Sequence, residues 1–272
     1  MNFKILATLG PSSLNERTVK EMSRNNVSLF RINLSHTPLE MVSDTIKKIQ
    51  SWTDIPIALD SEGAQIRNQN MESESVYFKE GDIVKIHQTA IIGNSSNISF
   101  TPNYIVDELR KGDKIRVDFN TVCLEVSEVK KDHILAIVNN EGYVGSNKAA
   151  DVNRHINLNA VTPKDEAAFK IGIELGINDF SLSFTNSAKD VDDIRKIIGY
   201  ESNLIAKIES INGVLNLGEI LPIVDQILID RGDLSREIAI EKIPFIQRRI
   251  ISYARSTETP VFVATNLLES MI

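Results

Sequence analysis

Lys207-Ile-Glu209 and Arg231-Gly-Asp233 each place a cation and a carboxylate two residues apart at the end of an apolar run. Residues i and i+2 of a strand point to the same side. On strands, that spacing sends Lys207 with Glu209, and Arg231 with Asp233, into a common pocket. Glu209 and Asp233 then suit one hard divalent ion, which takes oxygen ligands and leaves positions open for a substrate. Lys207 beside them suits a transferring phosphoryl group. The plainer reading is an ion-pair network on a barrel rim. Each pair alone fits that network as well, and the other strand ends favour the metal.

Arg31-Ile-Asn33-Leu-Ser35 sets three more polar groups at alternate positions. Arg31 offers a fork suited to phosphate or carboxylate. Asn33 and Ser35 offer neutral oxygens, and Asp60 with Ser61 can add more, a collection suited to a monovalent cation. Thr265 could bring a hydroxyl to the pocket, although threonine at a strand end is usually structural. Arg67 and Lys148 flank a distinct central segment and could meet a polyphosphate, although isolated basic residues are ordinarily solvated. His36 reads as a loop histidine. The chain has no G-x-x-x-x-G-K-[ST] phosphate loop, no zinc-like Cys/His cluster and no Ser/His/Asp arrangement.

Seven apolar runs must position these groups: Ile5–Leu9, Ser28–Ile32, Ile55–Leu59, Asp179–Leu182, Leu204–Ile208, Gln226–Ile229 and Val261–Ala264. Continuous apolar strands fit a parallel sheet buried on both faces. Chemistry gathered at their carboxyl ends is where an α/β barrel keeps its active site. Helical patterns alternate with the runs, over Glu16–Asn25, Pro38–Trp52, Ala167–Leu175, Asp190–Ile198, Gly213–Leu221 and Ile243–Ser256. Thr162 is the expected N-cap of the third, with Pro163 at its first position and Asp165 complementing the dipole. From about Asn68 to Asn157 the pattern becomes short β-branched stretches separated by turn signals such as Glu80-Gly-Asp82 and Lys111-Gly-Asp113. The expected fold class is therefore α/β: a (β/α)8-type barrel with an inserted small all-β domain. The expected division is 1–68 and 158–272 for the barrel and 69–157 for the insert. A barrel of this kind needs eight strands, and seven are visible. The chain is thus expected to be truncated, open, or completed by a partner chain or homo-oligomer.

Composition narrows the function classes. A formal net charge of −7 argues against non-specific nucleic-acid binding. One cysteine, Cys123, excludes an internal disulfide and fits a reducing cytoplasmic compartment. No apolar run is long enough to span a bilayer, so no membrane partner is expected.

With these residues laid out, the chain resembles the pyruvate kinase family. The matching stretches are Lys4-Ile-Leu-Ala-Thr-Leu-Gly-Pro-Ser-Ser13, Phe30-Arg-Ile-Asn-Leu-Ser-His36, Leu59-Asp-Ser-Glu-Gly-Ala-Gln-Ile-Arg67, Thr162-Pro-Lys-Asp165, Ile205-Ala-Lys-Ile-Glu209, Asp230-Arg-Gly-Asp-Leu234 and Val263-Ala-Thr-Asn-Leu-Leu-Glu-Ser-Met271. They fall in the family's order across both barrel segments. The resemblance implies phosphoryl transfer from phosphoenolpyruvate to ADP, giving pyruvate and ATP, with Mg2+ (or Mn2+) and K+. It implies that Arg31 and Lys207 contact the phosphoryl group, that Glu209 and Asp233 hold Mg2+, and that Asn33, Ser35, Asp60 and Ser61 hold K+. Gly232, through its backbone, and Asp233 would lie beside the substrate carboxylate. Arg67 and Lys148 would reach the nucleotide phosphates, and Thr265 would sit near the methylene carbon that receives a proton.

The chain also departs from the family pattern. Glu62 stands where lysine is usual, Ala64 for proline, Asp230 for alanine, and Asn266 for glutamine. Ser235-Arg236 replaces a small-plus-apolar pair, and Val117-Asp-Phe-Asn120 stands where Asp-Asp-Gly is usual. The alternatives are a metal-dependent binder of phosphoenolpyruvate or 2-oxo acids without transfer, and a metal-dependent lyase acting on an enolate.

Overall fold

The computed structural model describes residues 3–118, 121–154 and 156–264. The chain divides into two compact units, residues 1–64 with 159–272, and residues 65–158. The first unit opens with β1 (Ile5–Thr8), β2 (Val27–Asn33) and β3 (Ile57–Asp60). The second contains β4 (Ile66–Asn68), β5 (Val76–Phe78), β6 (Ile83–His87), β7 (Asn97–Thr101), β8 (Lys114–Val117), β9 (Val122–Val129), β10 (His133–Asn140), β11 (Gly142–Val144) and β12 (Ala149–Val152). The first unit then resumes with β13 (Asp179–Leu182), β14 (Asn203–Ile208), β15 (Gln226–Asp230) and β16 (Val261–Ala264). Ile66–Asn68 pairs with β7 and β12, which puts the unit boundary at 64/65, four residues before the position read from pattern change.

The seven strands of the first unit form one parallel sheet in the order β1-β2-β3-β13-β14-β15-β16. One face carries Phe30, Ile32, Leu59, Phe180, Leu182, Leu204, Ile208, Ile227 and Ile229 into the main core. There they meet Val42, Ile46 and Ile49 of the helix Leu39–Trp52, and Val191 and Ile194 of the helix Ala188–Ile198. The other face carries a smaller layer of Leu29, Ala58, Ile205 and Leu228, with Leu6 and Phe262 against it. Both faces are apolar, which is why the strands read as unbroken hydrophobic runs.

The inner layer sets the position of the polar groups. Two residues beyond Leu29, Ala58, Ile205 and Leu228 stand Arg31, Asp60, Lys207 and Asp230. The strand repeat of two therefore delivers all four to the inner face at the carboxyl end of the sheet. Among the described residues β1 and β16 pair only with β2 and β15. These two edge strands are also the least buried of the seven, as expected for strands with a neighbour on one side only.

Local signals account for the helices. Asn15 caps the helix Glu16–Arg24 by accepting the Thr18 N–H at 3.0 Å. Thr162 and Asp165 form a capping box at the start of Pro163–Glu174, and Ser187 with Asp190 forms another before Ala188–Ile198. The expected helix over 213–221 is instead two short ones, Ile211–Leu215 and Leu217–Ile220, broken at Asn216 and followed by a 3-10 turn containing Pro222. Proline at that point cannot supply the N–H that a continuing helix needs.

The second unit is a closed barrel in the order β10-β6-β7-β4-β12-β8-β9, with β5 and β11 paired beside it. Phe78, Phe100, Ile86, Ile115, Leu124 and Val138 contribute to its core. Gly81 and Gly112 lie at φ +86° and +90°, the left-handed turns signalled by their Gly-Asp pairs. No helix among the described residues is long and apolar enough to cross a membrane.

Candidate active site

Lys207 is the hub of the site. Its ammonium lies 3.1 Å from Asp60 Oδ2 and 3.1 Å from Glu209 Oε1, and donates to Ser183 Oγ at 2.9 Å. Arg31 completes the other side, with Nη1 3.3 Å from Asp60 Oδ2 and Nε donating to Thr8 Oγ1 at 2.8 Å. Thr8 follows inner-layer Leu6 by two, so the same strand repeat places it there.

Backbone contacts hold these groups in place. Ser183 donates through its N–H to Ser61 Oγ at 2.9 Å and through its hydroxyl to the Ser61 carbonyl at 2.7 Å. Gly63, at φ +74°, closes over Ser183, and a Cβ there would stand 2.5 Å from the Ser183 carbonyl oxygen. Its neighbour Glu62 and Gly63 itself donate their N–H groups to Asp165 at 2.7 and 3.2 Å. Thus the carboxylate predicted to start a helix also anchors the turn that braces Lys207. Phe184 takes φ +51°, costly for a residue with a bulky side chain, and its N–H donates to Glu209 Oε2 at 2.8 Å.

The carboxylates of Glu209, Asp230 and Asp233 converge, each offering an oxygen within 4.8 Å of the others. The two pairs read from i, i+2 spacing reach this point differently. Lys207 and Glu209 follow the strand repeat. Arg231 and Asp233 do not, because β15 ends at Asp230 and Arg231–Leu234 is a helical turn. Arg231 is turned aside, its Nε donating to the Ala264 carbonyl at 3.2 Å. Asp233 lies 3.4 Å from Arg236 Nη1. The residue that does follow the strand repeat is Asp230. It accepts the Gly232 N–H at 3.0 Å and caps the turn.

Four carboxylates, those of Asp60, Glu209, Asp230 and Asp233, gather here with the cations of Lys207, Arg31 and Arg236. Burial disfavours charge on Lys207, but the Asp60 and Glu209 carboxylates outweigh it and hold the ammonium above the usual lysine range. Burial pushes Glu209 up to about 7 against the pull of Lys207, and Asp233 and Asp230 push it further. Burial, then Asp230, raises Asp233 as well. A divalent cation among Glu209, Asp230 and Asp233 would relieve this crowding, so the donor set fits one.

The residues proposed for a monovalent cation are partly engaged. Asn33 Oδ1 accepts the Ser35 N–H at 2.9 Å, and Ser61 Oγ accepts from Ser183. Asp60 Oδ1 is buried and accepts no hydrogen bond, and neither does the buried hydroxyl of Ser181 find a partner. Asp60 and Ser181 face each other across β3 and β13. An unpaired buried carboxylate oxygen fits a cation.

In the second unit Arg67 lies within β4 and Lys148 immediately precedes its partner strand β12. Arg67 Nη1 donates to the Asn147 carbonyl at 2.8 Å, the Lys148 N–H donates to Asn68 Oδ1 at 2.7 Å, and the Lys148 ammonium stands 3.4 Å from Asp118. Thr265 lies outside the described residues, as does Asn266. Ser183, Thr8 and Asp230 are the site residues that motif spacing did not single out. The strand repeat counted from the inner apolar layer finds Thr8 and Asp230, and Ser183 stands two residues after Ser181, the register partner of Asp60.

The sequence matches the family described as pyruvate kinase, barrel domain, over residues 1–272. The chain belongs to the pyruvate kinase family. Among curated family members, the pyruvate kinase of Geobacillus stearothermophilus is 33% identical over 98% of this chain and 48% of its own length. That of Thermococcus litoralis is 32% identical over 98% of this chain and 58% of its own. That of Thermotoga maritima is 32% identical over 99% of this chain and 60% of its own. The chain thus spans about half to three-fifths of the length of the relatives it matches.

Proposed function

We propose that this chain carries a pyruvate-kinase-like phosphotransfer centre, moving the phosphoryl group of phosphoenolpyruvate to ADP with Mg2+ (or Mn2+) and K+. The observation that supports it most directly is the convergence of Glu209 and Asp233 on one point while the Lys207 ammonium lies 3.1 Å from Glu209. Phosphoryl transfer passes through a loose transition state and asks the protein for positioning and neutralised charge. Lys207 supplies a cation kept protonated by its carboxylate neighbours, and Ser183 and Asp60 fix where it points. Arg31, held by Thr8 and Asp60, presents its guanidinium from β2 to the phosphoryl oxygens.

Glu209 and Asp233 would hold the divalent ion, and Asn33, Ser35, Asp60 and Ser61 the monovalent one. When bound, the divalent ion supplies charge neutralisation at the moving phosphoryl group. Gly232 and Asp233 would orient the substrate carboxylate, and Thr265 would stand near the methylene carbon that gains a proton as the P–O bond to the enol breaks. Arg67 and Lys148 would bind the nucleotide phosphates. The proposed compartment is the cytoplasm, and a homo-oligomer is the proposed assembly.

The test is an assay that couples pyruvate formation to a reporter, with phosphoenolpyruvate, ADP, Mg2+ and K+. Turnover that requires ADP supports the proposal. Absence of turnover in a folded sample refutes it, and pyruvate formation without nucleotide favours the lyase.

One observation favours a second reading, a binder of phosphoenolpyruvate or 2-oxo acids that does not transfer phosphate. Glu62, where the resemblance leads one to expect lysine, is paired with Lys164 at 2.8 Å. That reading predicts metal-dependent uptake of oxalate in calorimetry with no turnover.

A further inference from the structure

We propose that Asp230 is a third carboxylate ligand for the divalent cation, so that this site holds its metal more tightly than Glu209 and Asp233 alone would. The inference deepens the metal site proposed above and rests on it. Three features of the molecule support it.

The first is position. Asp230 ends β15 two residues after inner-layer Leu228, and its carboxylate comes within 4.8 Å of both Glu209 and Asp233. The second is orientation. One Asp230 oxygen accepts the Gly232 N–H at 3.0 Å, which ties the carboxylate to the turn that also carries Asp233. The ligand pair 230 and 233 is therefore set by one short piece of backbone rather than by two mobile side chains. The third is Glu209, which is 2% exposed and whose Oε1 accepts no hydrogen bond. Lys207 faces that oxygen and is shared with Asp60. Three acidic groups held this close, one of them buried, repel one another until a cation sits among them.

Glu209 shares Lys207 and Asp233 shares Arg236, and Asp230 adds a third carboxylate to the set. Oxygen-ligand sites gain affinity with the number of charged ligands.

The test uses Mn2+ alone, with no substrate or nucleotide, and reads binding by the paramagnetic resonance signal of the free ion. The variants are Asp230→Asn and Glu209→Gln. Asparagine keeps an acceptor for the Gly232 N–H, so Asp230→Asn retains the cap while losing the charge. Removing a metal-site partner commonly weakens binding about 10–100-fold, and Asp230→Asn is expected to weaken Mn2+ by at least about tenfold. In excess chelator the same variant should melt no lower than the wild type, because it relieves repulsion. A wild-type Mn2+ affinity in Asp230→Asn overturns the inference. If Glu209→Gln then still abolishes binding, the proposed metal site stands and only the role of Asp230 falls. If the wild-type chain takes up no Mn2+, both fall together.

Discussion

Replacing Lys207 by methionine removes a cation that touches two buried carboxylates. Methionine matches the stem in volume, so the change isolates the charge. Lysine is 8% exposed and its partners Asp60 and Glu209 are each 1% exposed. Breaking a buried ion pair from one side typically costs about 3–5 kcal/mol, because the other charge is left uncompensated. Arg31 still lies 3.3 Å from Asp60, so most of the loss falls on Glu209, and about 3 kcal/mol is expected at pH 8 without divalent ions. For a chain of this size that corresponds to a fall in melting temperature of roughly 6–12 °C. Thermal melting followed by circular dichroism measures it. From the sequence, the substitution should spare the fold. The structure predicts that it spares the topology but not the stability. Turnover should fall as well, by about a hundredfold or more, since a preorganised charge facing a transition state is commonly worth about 3 kcal/mol. A melting temperature within about 2 °C of the wild type at pH 8 would refute the placement of Lys207 between its two carboxylates.

Three further outcomes can be checked. Glu209 is pushed from about 4.5 up to about 7, so the fold favours its protonated form. Its contribution to stability is full below the unfolded value and is lost as pH rises through 7, an effect on the order of 3 kcal/mol. Chemical denaturation without divalent ions should therefore show stability falling from pH 5 to pH 8, and Glu209→Gln should flatten that fall. A fall of equal size in the variant would assign it elsewhere. Asp165→Ala should cost about 2–3 kcal/mol in denaturant titration, because three backbone N–H groups, those of Glu62, Gly63 and Thr162, lose their acceptor. A loss under about 0.5 kcal/mol would show that Asp165 does not brace this turn. Glu62→Lys breaks the partly exposed pair with Lys164 and should cost no more than about 1 kcal/mol. It should also raise ADP affinity measured by calorimetry, and an unchanged affinity would place Glu62 away from the nucleotide.

Much of the architecture was legible from local rules. Alternating apolar runs and helical stripes announce a parallel sheet with helices packed against it, because burial on both faces leaves no polar position inside a strand. The spacing of Lys207 and Glu209 was enough to aim both at one pocket, since a strand's repeat of two does not depend on its neighbours. Thr162 and Asp165 announced a helix start for the same reason, and the structure adds the reciprocal bonds that make it a capping box.

The tertiary structure decided what local rules leave open. Arg231 and Asp233 share the i, i+2 spacing of the other pair, yet β15 stops at Asp230 and a helical turn sends them to different partners. No motif links Asp60 to Lys207, 147 positions apart. The register of β3 on β13 and of β13 on β14 brings them together. Burial in the folded chain raises Glu209 toward neutrality, and Asp233, Asp230 and Asp60 around it add to that shift. Residue types and strand periodicity determined which groups this protein could use. Strand order, strand ends and exclusion of water determined which of them meet and how they are charged, because those depend on what the rest of the chain places beside them.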